Sequence, residues 1–273
     1  MDKNTELTIE ECKGIQLQIV QYIDSICKEN GITYSLGFGT LIGAIRHKGF
    51  IPWDDDIDLI MPRQDFDRFK RYIETHPSQD YHKLDYENSF FNIIKICDSH
   101  TRISEKRSIR IPDYGVWVDI FPFDELQPPD SKESIKDKRK YRFIRKLSVT
   151  RALNFEHANT LFGLKKCSFM AVRLLLQLFP YTFFAKELNR LAQKNNGKNT
   201  GYIGCYTKYT KPNRPKDEID ADCFSEFIDV EFENLELKAI KNYDKFLKTI
   251  YGDYMQLPPE SKRVGHEYRA FRR

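Results

Sequence analysis

The amino-acid sequence predicts an α/β or α+β fold, built on a mixed sheet with flanking helices and an additional mainly helical segment. In the first half of the 273-residue chain, helical apolar spacing alternates with short apolar runs that end at Gly or Pro. After the boundary signal Gln127-Pro-Pro-Asp130, residues 131–200 have a mostly helical pattern. The predicted parts are a catalytic core over 1–128, a helical basic and apolar subdomain over 129–200, and a C-terminal part over 201–273 that completes the site.

The individual elements follow from caps, periodicity and turn residues. Thr8 and Glu11 form a capping box, and Asn30-Gly31 is a helix stop. Pro62 suits the first turn of a helix, and Gly252 suits the end of one. The predicted elements, in order, are a helix over 9–30, a strand over 32–38, a helix over 41–46, a strand over 53–61, a helix from 62, strands over 91–97 and 115–121, a helix over 131–151, and a helix over 243–251.

The composition excludes several classes of protein. Apolar residues make up 40% of the chain, which is enough for a core, and the net charge of +4 is small for a nucleic-acid-binding protein. The six cysteines include no C-x-x-C pair, so they predict free thiols in a reducing compartment rather than a zinc site or a disulfide framework. Residues 1–11 contain no apolar secretion signal. We therefore expect a cytoplasmic protein that does not bind nucleic acid.

An acidic strand is the most informative segment. Because side chains alternate along a strand, Asp54, Asp56 and Asp58 share one face, and Asp55 points the other way. Three carboxylates on one face repel one another unless a cation lies between them. A solvated acidic turn is the alternative, but an apolar run follows at once. The pattern predicts Asp54, Asp56 and Asp58 as ligands of Mg²⁺ or Mn²⁺.

Two neighbouring features support a phosphate-handling site. Gly37, Gly39 and Thr40 lie where a strand gives way to a helix, and such a turn lets backbone N–H groups approach phosphate. Asp119 interrupts an apolar run, where an acid is costly unless it is paired or binds metal. We predict Asp119 as a further metal ligand, with pairing to an Arg or a backbone cap as the alternative. Asp124 is a weaker candidate and is expected in a turn.

These segments resemble a known family. Residues 39–58, with their Trp-Asp-x-Asp-x-Asp pattern, resemble the signature of the LicD family of phosphocholine transferases, and the fukutin-related ribitol-phosphate transferases carry a similar segment. Residues 117–124 and 251–263, followed by His266, resemble two further segments of the family. The resemblance implies a nucleotidyltransferase-like fold, a CDP-choline donor, release of CMP, and a sugar hydroxyl of teichoic acid, lipopolysaccharide or a similar surface glycan as acceptor.

The family pattern also implies roles for individual residues. Asp56 and Asp58 match the metal-binding pair, Asp54 is the additional acid, and Asp119 matches the acid of the later strand and could act as general base. Choline is a quaternary ammonium and favours aromatic rings, so Trp53 and Trp117 are candidate choline contacts, with core packing as the alternative. The candidate donor-binding residues are Gly37, Gly39, Thr40, Arg46, Lys48, Lys262, Arg263 and His266.

Three other functions stay open at this stage. The same fold could transfer ribitol, glycerol or ethanolamine phosphate from a CDP donor. It could be a polynucleotide nucleotidyltransferase, which the modest net charge disfavours. It could also be a binding module without catalysis, which the intact set of acids disfavours.

The middle of the chain contains residues 167–185, which carry a single charge, Arg173. A membrane span is disfavoured because Arg173 lies near the centre and Pro180 would kink the helix. A buried core helix remains open. So does an apolar surface that works with the basic segment 132–151 at the inner face of the membrane, where a lipid-linked glycan acceptor would be met.

Overall fold

The computed structural model describes residues 5–105, 111, 113–153, 162–206, 218–265 and 268–273. It confirms the predicted mixture of helices around a mixed sheet. The helices are α1 (Ile9–Asn30), α2 (Phe38–His47), α3 (Arg63–Thr75), α4 (Lys132–Ala152), α5 (Gly163–Leu176), α6 (Phe183–Ala192) and α7 (Tyr243–Tyr251). The strands are β1 (Ser35–Leu36), β2 (Asp58–Pro62), β3 (Tyr81–Leu84), β4 (Ile94–Asp98), β5 (Thr101–Glu105), β6 (Trp117–Glu125), β7 (Tyr202–Gly204), β8 (Ile219–Asp220), β9 (Phe227–Phe232), β10 (Leu235–Ile240) and β11 (Tyr268–Arg272).

The central sheet has the strand order β1-β2-β6-β4-β3, and β7 and β8 continue it from the end of β6. Strands β2 and β6 are parallel, whereas β1, β4 and β3 each run antiparallel to the neighbour they join. Two separate antiparallel ribbons, β9–β10 and β5–β11, pack beside this sheet. The β5–β11 ribbon brings the C-terminal end of the chain next to its middle.

Helix α1 begins and ends where its sequence requires. The Thr8 side chain accepts from the Glu11 backbone N–H, the Glu11 carboxylate accepts from the Thr8 N–H, and Gly31 closes the helix in the left-handed conformation at φ 58°. Its buried stripe includes Ile19 and Ile23, which are fully buried. Each such side chain contributes roughly 1.5–3 kcal/mol of burial free energy, so tertiary packing holds the helix in place.

Several predicted boundaries were wrong. The acidic strand was expected over 53–61, but the ladder begins only at Asp58, because residues 51–54 form a turn in which the Asp54 N–H donates to the Ile51 carbonyl at 2.8 Å. The strand expected over 32–38 is the short β1, and the helix expected over 41–46 starts three residues earlier. Strands β4 and β6 both extend past their predicted ends, and Pro62 caps α3 rather than entering it.

Asp124 lies inside β6 and is buried, so its assignment to a turn was also wrong. Its carboxylate accepts from Arg63 Nε at 2.7 Å and Nη2 at 2.6 Å, and from Asn196 Nδ2 at 2.7 Å. Arg63 is itself buried at the start of α3. This two-bond ion pair ties α3 to the central strand.

The segment 129–200 builds a second hydrophobic cluster, separate from the main core. Helices α4 and α6 supply Tyr141, Ile144, Phe184 and Leu188 to it, together with residues from outside the segment such as Leu126. Helix α5 hardly takes part, since only Arg173 and Leu176 of it are buried, so the alternative of a buried core helix, left open for residues 167–185, does not hold for α5. Among the described residues, no helix is both long and apolar enough to cross a membrane.

Removing one member of the Arg63–Asp124 pair should destabilise the fold strongly. We expect Asp124→Leu to lower the free energy of unfolding by about 3–5 kcal/mol, because it removes the two-bond partner of a buried guanidinium and leaves only the more distant Asp67, at 3.6 Å. The double variant Arg63→Met/Asp124→Leu should recover most of that loss, since no unpaired charge remains. Urea denaturation of both variants measures the difference. Equal losses in the single and double variants would contradict the assignment.

Candidate active site

Asp58 and Asp119 lie side by side on neighbouring parallel strands. They are direct partners in the β2–β6 register, and both are buried. Residues at matching positions of neighbouring strands project from the same face, and the strands are about 4.8 Å apart. Their carboxylates therefore share one small region of the sheet, although 61 residues separate them in the chain.

Lys95 is a third charged residue in this row, and the sequence analysis missed it. It is the direct partner of Asp119 in β4, and its Nζ lies 2.6 and 2.9 Å from the two carboxylate oxygens of Asp119. Asp119 is thus paired as its alternative interpretation proposed, but with a lysine rather than an arginine. A signal was available: Lys95 interrupts an apolar run, as Asp119 does.

Three aromatic rings surround the Lys95 ammonium. Its Nζ lies 4.7 Å from the ring centroid of Trp117, 4.9 Å from that of Phe91 and 5.6 Å from that of Tyr114. Trp117 is buried, and its indole Nε1 has no hydrogen-bond partner among the described residues. The ring predicted as a choline contact therefore already faces a resident cation, and its contact with choline stays a prediction.

The Gly turn positions Asp58 through the backbone. Thr40 Oγ1 accepts from the Asp58 N–H at 2.8 Å, and the Gly37 N–H donates to the Asp58 carbonyl at 2.8 Å. Gly39 leaves room for a carboxylate, because a Cβ there would lie 2.8 Å from Asp54 Oδ2. Asp54 thus packs on the N-terminal turn of α2, where the helix dipole favours negative charge. These contacts show the turn holding acids, and its binding of phosphate stays a prediction.

Residues 54–57 alternate in burial although they lie outside the ladder. Asp55 is buried, whereas Asp54 and Asp56 are partly exposed; the shared face of Asp54, Asp56 and Asp58 stays a prediction. The Asp55 carbonyl accepts from Gln16 Nε2 at 2.9 Å and from the Tyr268 hydroxyl at 3.3 Å. Helix α1 and strand β11 therefore fix the acidic segment from both sides.

The C-terminal segment folds back onto these acids. The guanidinium carbon of Arg263 lies 5.2 Å from the centroid of the Trp53 ring, and Arg263 Nε donates to the Pro258 carbonyl at 2.8 Å. A Cβ at Gly265 would meet the Trp53 carbonyl at 2.9 Å and Asp55 Oδ2 at 3.1 Å, so only glycine fits there without a shift. Gly265 was not identified from the sequence. The predicted donor-binding residue His266 lies outside the described residues.

The other predicted donor-binding cations differ in their surroundings. Arg46 Nη1 donates to the Tyr254 carbonyl at 2.7 Å, and its Nε donates to His47 Nε2 at 2.9 Å. Burial, with Arg46 as a second cause, lowers the pKa of His47, which fits a neutral ring that accepts this bond. Lys48 and Lys262 are exposed. Arg46 therefore joins the end of α2 to the segment after α7, whereas the two lysines lie open to solvent.

Residues 31–174 match the family described as LicD/FKTN/FKRP, nucleotidyltransferase domain, which is more than half of the chain. The chain belongs to the LicD family. It is 32% identical to the lipopolysaccharide cholinephosphotransferase LicD of Haemophilus influenzae, over 96% of each chain. It is also 27% identical to an uncharacterized protein of Rickettsia typhi, over 59% of this chain and 41% of that protein. A Rickettsia prowazekii protein is 32% identical over 29% of this chain and 28% of its own length.

The match places the LicD-family domain on the elements that build the site. The matched range contains Gly37, Asp58, Lys95 and Asp119, whereas Gly265 lies beyond it. The likeness to the Haemophilus protein covers 96% of the chain and so extends well beyond residues 31–174.

The carboxylates of this LicD-family site fit a magnesium ion that is also bound by substrate phosphates and water. Among the described residues, no group of three or more His, Cys, Asp or Glu side chains forms a ready-made metal cage. Mg²⁺ needs no such cage, because it is usually held by one or two carboxylates together with water and substrate phosphates. Asp58 and Asp119 would supply two such carboxylates, and Asp54 and Asp56 lie in the segment that leads into β2. Their role as ligands stays a prediction.

Lys95 should be replaceable, in part, by a divalent cation. We expect Lys95→Met to lower the free energy of unfolding by about 3–5 kcal/mol, because it leaves the Asp119 carboxylate buried without its partner. Mg²⁺ at the Asp58–Asp119 pair would supply the missing positive charge, so Mg²⁺ should raise the melting temperature of Lys95→Met more than that of the wild type.

Lys83→Met is the matched control, because Lys83 forms a similar ion pair with the buried Asp85, at 2.7 Å, on the outer strand β3. Its melting temperature should not respond to Mg²⁺ more than the wild type does. Thermal unfolding with Mg²⁺ and with EDTA measures all three proteins. The same Mg²⁺ response in both variants would refute a cation at the Asp58–Asp119 pair.

Proposed function

We propose that this LicD-family chain transfers phosphocholine from CDP-choline to a sugar hydroxyl of a lipid-bearing surface glycan, releases CMP, and uses Mg²⁺ or Mn²⁺. The full-length likeness to a lipopolysaccharide cholinephosphotransferase supports the transferred group and the class of acceptor. The resemblance of residues 39–58 and 117–124 to the family signature supports the donor. Teichoic acid is a second acceptor of the same chemical kind.

One structural observation carries the proposal. Asp58 and Asp119 are direct partners in the parallel β2–β6 register. The segment that contains Asp54 and Asp56 leads directly into β2. Buried carboxylates that lie together are costly unless positive charge compensates them, and Lys95 shows that this part of the sheet accepts a cation beside Asp119. The arrangement suits a reaction in which a charged diphosphate and a metal ion enter together.

The reaction balances as a single displacement at phosphorus. The acceptor hydroxyl oxygen forms a bond to the phosphorus that carries choline, and the bond from that phosphorus to the bridging oxygen breaks. CMP leaves with the bridging oxygen, and the hydroxyl proton passes to a carboxylate. When bound, the metal would neutralise charge on the diphosphate as the leaving group departs.

The residues of the chain position the reactants. Asp58, held by Thr40 and Gly37, would ligate the metal together with Asp56. Asp119 would take the proton from the acceptor hydroxyl, and Lys95, which contacts both of its oxygens, fixes its orientation. Alignment of the attacking oxygen is a large part of catalysis in phosphoryl transfer, so this rigidity would be used directly.

Cations of the C-terminal segment and of the loop before the acids would hold the donor. Lys48 and Lys262 are exposed and long enough to reach a phosphate, and Arg263 would act from its place on the Trp53 ring. Trp53 is then the more accessible of the two aromatic candidates for choline, because Trp117 is buried against Lys95.

A panel of donors tests the proposed function. The protein would be incubated with Mg²⁺, a lipid-bearing glycan and each of CDP-choline, CDP-ethanolamine, CDP-ribitol and CDP-glycerol, and CMP release would be measured. We expect CDP-choline to give the fastest release, and glycan-dependent release only. Faster release with another donor would reassign the transferred group, and no release with any donor would overturn the proposal.

Neighbouring acids provide a matched pair of variants. Asp56→Asn should lower kcat by about 100-fold or more, the range seen when one charge-stabilising group is removed from an active site. Asp55→Asn should lower kcat much less, because the buried Asp55 carboxylate lies against Gly265 and is not among the proposed metal ligands. Turnover is measured per folded protein, by CMP release. Equal losses of kcat at both positions would refute the assignment of opposite faces.

A further inference from the structure

Helix α5 has an inverted pattern of burial. Its arginine, Arg173, is only 6% exposed, whereas the adjacent Leu174 and Leu175 are 59% and 64% exposed. Leu164, near its N-terminus, is 86% exposed, and Leu178, just after its end, is 81% exposed. A helix on the surface of a water-soluble protein normally buries its leucines and exposes its charged side chains. Helix α5 therefore presents an apolar face that nothing in the described part of the chain covers.

The exposed apolar side chains are grouped rather than scattered. Single exposed leucines are common on protein surfaces, but a cluster on one helix and the residues that flank it marks an interaction site. The cluster, called here the α5 apolar surface, consists of Phe162, Leu164, Val172, Leu174, Leu175, Leu178, Phe179 and Phe183.

The helix is fixed in this orientation. Arg173 Nη1 donates to the Arg151 carbonyl at 3.3 Å, at the end of α4, and Leu176 packs into the second hydrophobic cluster. Arg151 Nε in turn donates to the Phe179 carbonyl at 3.4 Å, which holds the turn after α5 against the same helix end. Rolling the helix to hide its leucines would expose Leu176 and break these contacts.

Helix α4, which holds α5, carries a stripe of cations on its outer face. Lys132, Lys136, Arg139, Lys140 and Lys146 are exposed at successive spacings of four, three, one and six residues, with exposed Phe143 midway in the last step. One of the two acids of α4, Asp137, is buried and paired with Lys194 at 2.6 Å, which leaves Glu133 as the exposed acid. Lys165 and Lys166 add two more exposed cations on α5 itself.

Cations next to an apolar surface match an anionic lipid bilayer. The apolar side chains can enter the boundary between headgroups and acyl chains while the cations meet the lipid phosphates. A second copy of the chain would bring two sets of these cations together, which would oppose association. The charge therefore favours a lipid surface over a dimer of this chain.

We propose that the α5 apolar surface and the outer face of α4 dock this protein on an anionic membrane, as a peripheral protein. The inference goes beyond the proposed function and does not depend on which alcohol phosphate is transferred. Docking of this kind would place the enzyme at the bilayer surface, where an acceptor anchored in lipid is found.

Sedimentation of the full chain with vesicles, in the absence of any donor, tests this inference. One set of vesicles contains phosphatidylcholine alone, and the other contains equal amounts of phosphatidylcholine and phosphatidylglycerol. We expect binding to the anionic vesicles at low salt, weaker binding at high salt, and at least about tenfold less binding to the neutral vesicles.

Two triple variants separate the contribution of the α4 cations to vesicle binding from that of the α5 apolar surface. Lys136→Glu/Arg139→Glu/Lys140→Glu should lower the anionic partition coefficient by on the order of 100-fold, since about 1 kcal/mol for each cation is about fivefold. Leu174→Ser/Leu175→Ser/Leu178→Ser should abolish the binding that persists at high salt. These side chains are exposed, so both variants should keep the wild-type melting temperature.

Matched controls lie far from α5 in the sequence. Lys241→Glu/Lys248→Glu reverses two exposed cations, and Ile9→Ser removes an exposed apolar side chain of α1. Both controls should bind anionic vesicles as the wild type does. No binding of the wild type to anionic vesicles at low salt would overturn the inference. So would equal binding to both kinds of vesicle, or self-association in solution that the three Leu→Ser changes abolish.

Discussion

The constraint on which this structure depends is the burial of charge at Asp58, Asp119 and Lys95, three adjacent positions of one sheet face. A carboxylate in a protein interior is costly unless a cation and hydrogen bonds compensate it. Lys95 does this for Asp119, with both oxygens contacted and three aromatic rings around the ammonium. Strand β6, which carries Asp119, lies between the strand of the second acid, β2, and the strand of the lysine, β4.

The rest of the core holds this row rigidly. Phe121 and Phe123, which share the strand face of Asp119 by alternation, pack against Phe38 of α2 and Phe246 of α7. Helix α2 then presents Thr40 to the Asp58 backbone. On the other face, the Arg63–Asp124 pair fixes α3. A catalytic displacement at phosphorus gains from such rigidity, since alignment of the reacting atoms supplies much of the rate.

Segments distant in sequence complete the site. Tyr268 of β11 and Gln16 of α1 both donate to the Asp55 carbonyl, and Gly265 lies against Trp53 and Asp55. The β9–β10 hairpin also contacts this region. Glu233, in the turn between the two strands, accepts from the Phe50 N–H at 2.9 Å and thereby holds the loop before the acids. Residues 54–56 of the acidic segment belong to no strand, so these contacts hold it where strand pairing does not.

The sequence by itself determined the elements that depend on local chemistry. The capping box of Thr8 and Glu11, the basic helix α4, and α7 with its stop at Gly252 were predicted within a residue or two, because caps and helical periodicity act over a few positions. The family signature over residues 39–58 was also visible without a structure, and the family match confirmed it.

Only the tertiary structure decided which residues meet. Strand register placed Lys95 on Asp119, and chain closure placed Gly265 on the acidic segment; neither pairing leaves a local trace, because partners across strands are set by the whole sheet. The exposure of the α5 leucines was likewise decided by tertiary packing. Its apolar sequence fits a core or a membrane surface equally well, and the choice depends on whether another element covers it. The anchoring of Arg173 to the end of α4 turns the leucines of α5 outward.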